Sequence, residues 1–271
     1  MRCGSSRAWL LLAVVPPLNA PISVPPGSVA RWSAPAGIAV TSCTLSGERI
    51  SPIGGACWFP VDLGATGSLS VSRTLASGVV ESRTLRVGAY TWPTERLQVE
   101  EKYVAPPASE LARIERDQQR AGRAFALRTE RRFTLPLGAP LAELPEAGRF
   151  GARRILNGES KSPHAGADYR AGPGTAVFAP ADGVVAVAED QYFPGNAVYL
   201  DHGDGLISMA FHLSKIEVKE GDAVRRGQPI GQVGATGRVT GPHLHFGLRW
   251  RGAKIDPSTL LDPSRGLVEI R

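Results

Sequence analysis

The sequence predicts a mainly β protein: a small Ig-like β-sandwich, a linker carrying one helix, and an antiparallel β-rich C-terminal half. Three observations lead there. Short Val- and Thr-rich runs alternate apolar and polar residues, the period of a half-buried strand. Glycines and prolines, 31 and 22 of 271 residues, separate these runs as turns. Helical periodicity is confined to one stretch between the halves. Apolar and charged fractions of 42% and 21% are those of a globular chain.

Residues 1–20, MRCGSSRAWLLLAVVPPLNA, set Arg2 and Arg7 before an apolar run from Ala8 to Val15, with small residues following up to Ala20. This is the layout of a secretory signal peptide. The run is too short to span a bilayer, and Pro16-Pro17 would interrupt a longer element. A periplasmic or secreted protein is expected. No later segment approaches the roughly 18 uninterrupted apolar residues of a membrane span. Cys3 would leave with the signal. Cys43 and Cys57 remain, as a disulfide suited to an oxidising compartment or as two reduced, buried thiols. The net charge of +6 is spread along the chain without a Lys/Arg block, so no nucleic-acid partner is expected.

Residues 21–90 supply the strand-like runs SVARWSA, SLSVSRTL and VVESRTLRV, divided by turn-rich segments. They contain no histidine and no clustered carboxylates, which suggests a structural or binding module. Residues 91–146 form a linker. Its first part, TWPTERLQVEEKYVAPP, has weak strand character. A helix over about 108–128 follows, with Leu111, Ile114, Gln118, Ala121 and Phe125 on one stripe. That stripe is too short and too polar for a dimerising coiled coil, so the helix should pack against one of the two halves. A monomer is expected.

From about residue 149 the texture changes to short apolar runs separated by glycines, as in DGVVAVAED, NAVYLDHG and GLISMAFHLS. All five histidines, at 164, 202, 212, 243 and 245, fall in this half. His164 and Asp168 belong to SPHAGADYR. Fully extended, their Cα atoms would lie about 13 Å apart, too far to share one ion, so the chain should bend, with Gly166 permitting it. His243 and His245 share one face of a strand. The reading is that His164, Asp168 and His245 bind one Zn²⁺ and leave a position for water. His243 and His212 then provide a base and an electrostatic stabiliser for amide hydrolysis. His202, in LDHGDG, is read as a structural turn residue.

The motifs FGARR, PHAGAD, GTAVFAPADGVV, GNAVYLDHGDG, FHLSK, GDAVRRGQPIGQVGATG and TGPHLHF occur in the order found in lysostaphin-type zinc metalloendopeptidases, the M23 peptidase family. The chain resembles that family over about 147–257, leaving 258–271 as a C-terminal tail. The resemblance implies a duplicated-hybrid-motif fold and cleavage of peptide bonds in peptidoglycan stems or cross-links, with a D-alanyl–diaminopimelate cross-link as one candidate. It implies zinc at His164, Asp168 and His245, and catalysis by His243 and His212, in agreement with the residue-level reading. Two departures stand out. Ala167 replaces a larger aliphatic residue and should only loosen packing. Ala210 replaces a common tyrosine and is expected to open a gap near the site. The alternative is a non-catalytic M23-fold module that activates another wall hydrolase. A lipoyl-type carrier hairpin at VKEGDAVRRGQPIGQVG lacks a lysine at its turn tip and would leave the histidines unexplained.

Overall fold

The computed structural model describes residues 20–146, 148–262 and 264–271. Apart from Ala20, the segment expected to be a signal peptide lies outside the described residues.

The chain is mainly β. Its N-terminal part contains β1 (Ile22–Val24), β2 (Val29–Ser33), β3 (Val40–Leu45), β4 (Glu48–Ile50), β5 (Ala56–Pro60), β6 (Gly67–Leu75) and β7 (Val80–Val87). Five strands form one sheet in the order β1-β7-β6-β3-β4, while β2 pairs antiparallel with β5 in a second. The alternating residues Trp32, Val40, Cys43, Phe59, Val71 and Leu85 interleave between the sheets in one buried cluster. Cys43 on β3 and Cys57 on β5 form a disulfide, which bonds the two sheets across this core.

The linker begins with β8 (Thr94–Leu97), and the helix is α1 (Leu111–Phe125), one turn shorter than expected at each end. Its docking differs from the predicted stripe. Leu111 is exposed, whereas Asp117 and Ala124 are buried. Polar contacts take over in the first half. Asp117 accepts a hydrogen bond from the backbone N–H of Tyr192 at 2.8 Å, and Arg113 pairs with Asp190 at 2.7 Å. Ala121, Ala124 and Phe125 supply the apolar contact in the second half.

The C-terminal half adds β9 (Arg153–Leu156), β10 (Glu159–Lys161), β11 (Ala167–Tyr169), β12 (Ala176–Phe178), β13 (Gly183–Gln191), β14 (Gly195–Asp201), β15 (Leu206–Ile216), β16 (Ala223–Val224), β17 (Pro229–Val233), β18 (Leu244–Trp250) and β19 (Ala253–Ile255). The principal sheet runs β11-β18-β15-β14-β13-β16 and is antiparallel throughout. Strand alternation gives it two faces. Ala167, Tyr169, Leu206, Ala210, Leu244, Phe246, Leu248 and Trp250 enter the main core on one face. On the other face, Val187, Tyr199, Ile207 and Met209 pack beneath α1, leaving the β11–β18 end uncovered by that helix. The linker returns here, because β8 pairs in parallel with β9.

Residues beyond the peptidase-like segment are not a loose tail. A short helix, α2 (Ser258–Leu261), buries Leu260 in the main core, and β20 (Leu267–Glu269) pairs in parallel with β2. The chain end thus completes the second N-terminal sheet. Among the described residues, no helix is long and apolar enough to cross a membrane.

Candidate metal centre

The uncovered end of the sheet brings together the polar side chains singled out in the sequence. Asp168 on β11 and His245 on β18 are direct cross-strand partners, and Phe211 on β15 is opposite His245 on its other side. All three therefore share the face opposite the core. His245 Nδ1 is 2.9 Å from Asp168 Oδ1, and Phe211 stacks on the imidazole at 5.2 Å between centroids. His164 precedes β11 and reaches the same point: its Nε2 is 3.1 Å from Asp168 Oδ1 and 2.9 Å from His245 Nδ1.

Gly166 permits this approach for a reason other than the expected bend. Its φ is not in the left-handed range, but a Cβ there would lie 2.5 Å from His245 Nε2. A glycine stands between His164 and Asp168 where the His245 ring takes up the space that a side chain would need.

His212 arrives by a different device. The β14–β15 register shifts between Asn196 and Val198, so Phe211 and His212 together face one residue of β14. This β-bulge places Leu213 in the core and turns His212 toward the site. His212 has φ of 65°, a left-handed conformation costing a β-carbon residue on the order of 1 kcal/mol. Its ring lies 5.0 Å from that of His243 and 5.8 Å from that of His245.

Backbone carbonyls fix the tautomers. A carbonyl only accepts, so each ring nitrogen facing one must carry the proton. His164 Nδ1–H donates to Arg149 O at 3.0 Å, His212 Nδ1–H to Thr236 O at 2.9 Å, and His243 Nδ1–H to Gly241 O at 2.8 Å. In all three the neutral ring keeps a lone pair on Nε2. Burial lowers the pKa of His164, lowers that of His245 to about 4, and holds that of His212 well below the usual value. The last two are depressed further by neighbouring imidazoles. Burial alone would raise Asp168, but His164 and His245 outweigh it and hold the carboxyl well below the ordinary range.

Three electron-pair donors thus converge: Nε2 of His164, Oδ1 of Asp168 and Nδ1 of His245, separated by 2.9–3.1 Å. Ligands about 2.0–2.1 Å from a tetrahedral zinc ion lie roughly 3.3 Å apart, so this donor set suits such a cation. His243 Nε2 is 3.6 Å from Asp168 Oδ1, beside the cluster. The site opens into a groove of about 580 Å³, walled by Leu97 of β8, by Arg154 and Leu156 of β9, and by the 238–243 loop. Residue-pattern reasoning did not identify Arg154, whose Nη2 is 3.3 Å from Asp168 Oδ2, or Glu95, which pairs with Arg149 at 2.9 Å. It also missed Thr236 and Gly241, which act through backbone carbonyls. The expected gap at Ala210 is absent from the site: Ala210 faces the main core, opposite Phe246, on the other side of the sheet from His245.

The description of peptidase family M23 matches residues 162–257. A Pseudomonas aeruginosa protein assigned to M23 in its crystal structure is 30% identical. The match covers 90% of this chain and 96% of that one, with a TM-score of 0.66. The chain belongs to the M23 peptidase family. The correspondence extends through the N-terminal sheets, since it spans nearly all of both chains. Two curated Vibrio cholerae relatives are peptidoglycan DD-endopeptidases. ShyC is 40% identical over 126 residues, 46% of this chain and 29% of its own length. ShyA is 46% identical over 95 residues, 35% and 22% respectively. The matched region is therefore less than a third of each of these two relatives.

Proposed function

We propose that this M23 protein is a zinc metalloendopeptidase of the cell envelope that hydrolyses peptide bonds in peptidoglycan stem peptides or cross-links. One observation carries the reading: three metal-suited donors converge on one point, and Asp168 among them lines a single groove together with His212 and His243, whose Nδ1 atoms are held by backbone carbonyls. The DD-endopeptidase relatives support the substrate class, and the disulfide suits a compartment outside the cytoplasm.

His164, Asp168 and His245 would hold the ion. The chemistry it supplies is Lewis acidity, which makes water nucleophilic near neutral pH. His243 and His212 manage the proton. With Nδ1–H held by a carbonyl, the neutral form of each ring offers Nε2 as the acceptor. The imidazole that takes a proton becomes an N–H donor. It can then steady negative charge on the carbonyl oxygen and return the proton to the departing amine. Arg154 engages Asp168 Oδ2 and leaves Oδ1 directed at the histidines.

Digestion of purified sacculi, followed by mass analysis of the soluble fragments, tests the proposal. Zinc-loaded protein should convert cross-linked muropeptides into monomers, and chelator-treated protein should not. A protein that binds zinc but releases nothing, while stimulating a second wall hydrolase, would support the non-catalytic alternative.

A further inference from the structure

The loop from Thr236 to His243 does more than hold two imidazoles. Thr236 fixes His212 and Gly241 fixes His243, each through a backbone carbonyl. Between these carbonyls the loop presents Arg238 to the groove. The loop is pinned: Arg238 N–H donates to Phe193 O at 2.9 Å, and Thr236 Oγ1 accepts from Asn196 N–H and donates to Leu213 O, both at 2.9 Å. A Cβ on Gly237 would meet Gly195 N at 2.3 Å, so the loop packs backbone against backbone on the start of β14.

The Arg238 guanidinium has an unusual environment. Its Cζ lies over the Phe193 ring at 4.9 Å, which shields one face and leaves the in-plane N–H donors directed elsewhere. Among the described residues, no carboxylate forms an ion pair with it. Burial lowers its pKa, and the charged neighbour that lowers it further is another cation, Arg154. Other groove arginines differ: Arg149 pairs with Glu95, Arg154 pairs with Asp168, and Arg170 is exposed to water. A guanidinium remains charged at any ordinary pH. Half-buried on a pinned loop and without a counter-ion, the Arg238 guanidinium has a donor fork that matches a planar anion such as a carboxylate.

We propose that Arg238 is a specificity-determining residue that binds a substrate carboxylate on the carbon next to the scissile nitrogen. This rests on the endopeptidase reading above. The same short loop orients both catalytic imidazoles and Arg238, so its anion must sit close to the bond being cut. In a D-alanyl–diaminopimelate cross-link the acyl side offers a methyl group, and the nearest carboxylate is on the amine side.

The test compares two cross-linked peptide dimers with the full chain. One has a free carboxylate beside the scissile nitrogen, and the other has that group converted to a primary amide. Wild type should cleave the acid with a kcat/KM about tenfold or more above that of the amide, the scale of a charge-assisted hydrogen bond. Arg238→Gln should bring the acid-to-amide ratio close to one, and Arg238→Lys, which keeps the charge without the fork, should fall between. A wild type that cleaves both dimers equally overturns the proposal. So does an Arg238→Gln protein that slows both by the same factor, because that pattern indicates a structural role. If wild type cleaves neither dimer, the endopeptidase reading itself fails, a result distinct from cleavage without preference.

Discussion

At the scale of single residues, the site depends as much on a missing side chain as on those present. Gly166 leaves room for the His245 ring, and Gly166→Ala would put a methyl group 2.5 Å from Nε2. That variant should weaken zinc binding by roughly 10- to 100-fold, the usual effect of disturbing a ligand's support, as read by competition with a chromophoric chelator. The five polar residues should divide into two classes. His164→Ala, Asp168→Ala and His245→Ala should lose metal and turnover together. His212→Ala and His243→Ala should keep most of the metal and lose about 10²- to 10⁴-fold in kcat, the usual weight of a positioned acid–base group. That His243 and His245 share one strand face was open to sequence reasoning, because strand parity is a local property. The function of Gly166 was not: it depends on a ring 79 residues away in the chain.

At the scale of elements, the β-bulge in β15 and the turn after β14 explain what strand periodicity could not. Simple alternation would send His212 into the core with Ala210. The bulge reverses that parity, and nothing in AFHLSK announces it. The same blind spot misplaced Ala210, whose neighbour Phe211 is the residue that meets the site. For α1 the period was visible but the docking was not, because Asp117, Arg113 and Arg120 secure it by polar contacts with residues of a distant hairpin. His202 follows β14 and is wholly buried. Its Nδ1–H donates to Asp182 O and its Nε2 accepts from Ser208 Oγ, both at 2.8 Å. Burial lowers its pKa to about 4. The unfolded chain takes up this proton below about pH 6.5, whereas the folded chain does so only near pH 4. Stability is therefore lost as pH falls through that window, by about 3 kcal/mol. Urea midpoints measured from pH 7 to pH 4 should fall less steeply for His202→Asn than for wild type.

At the scale of the whole molecule, the sequence order of segments conceals how closely the two halves are joined. The β-rich character of each half was legible from alternation and turn residues. The return of β20 to β2 was not, because a three-residue parallel pairing carries no sequence signature of its own. The linker strand β8 likewise becomes a wall of the groove. The disulfide crosses the N-terminal core and closes a loop of 14 residues, so its removal should cost about 3 kcal/mol. A Cys43→Ala/Cys57→Ala variant should show a lower unfolding midpoint while retaining the metal site, as followed by thermal denaturation and zinc content.

Metal analysis of purified, zinc-equilibrated protein tests the central claim most directly. Wild type and His243→Ala should each carry close to one zinc per chain, and His245→Ala should carry almost none. An empty wild type, or a His243→Ala protein that loses its zinc while His245→Ala retains it, would contradict the account.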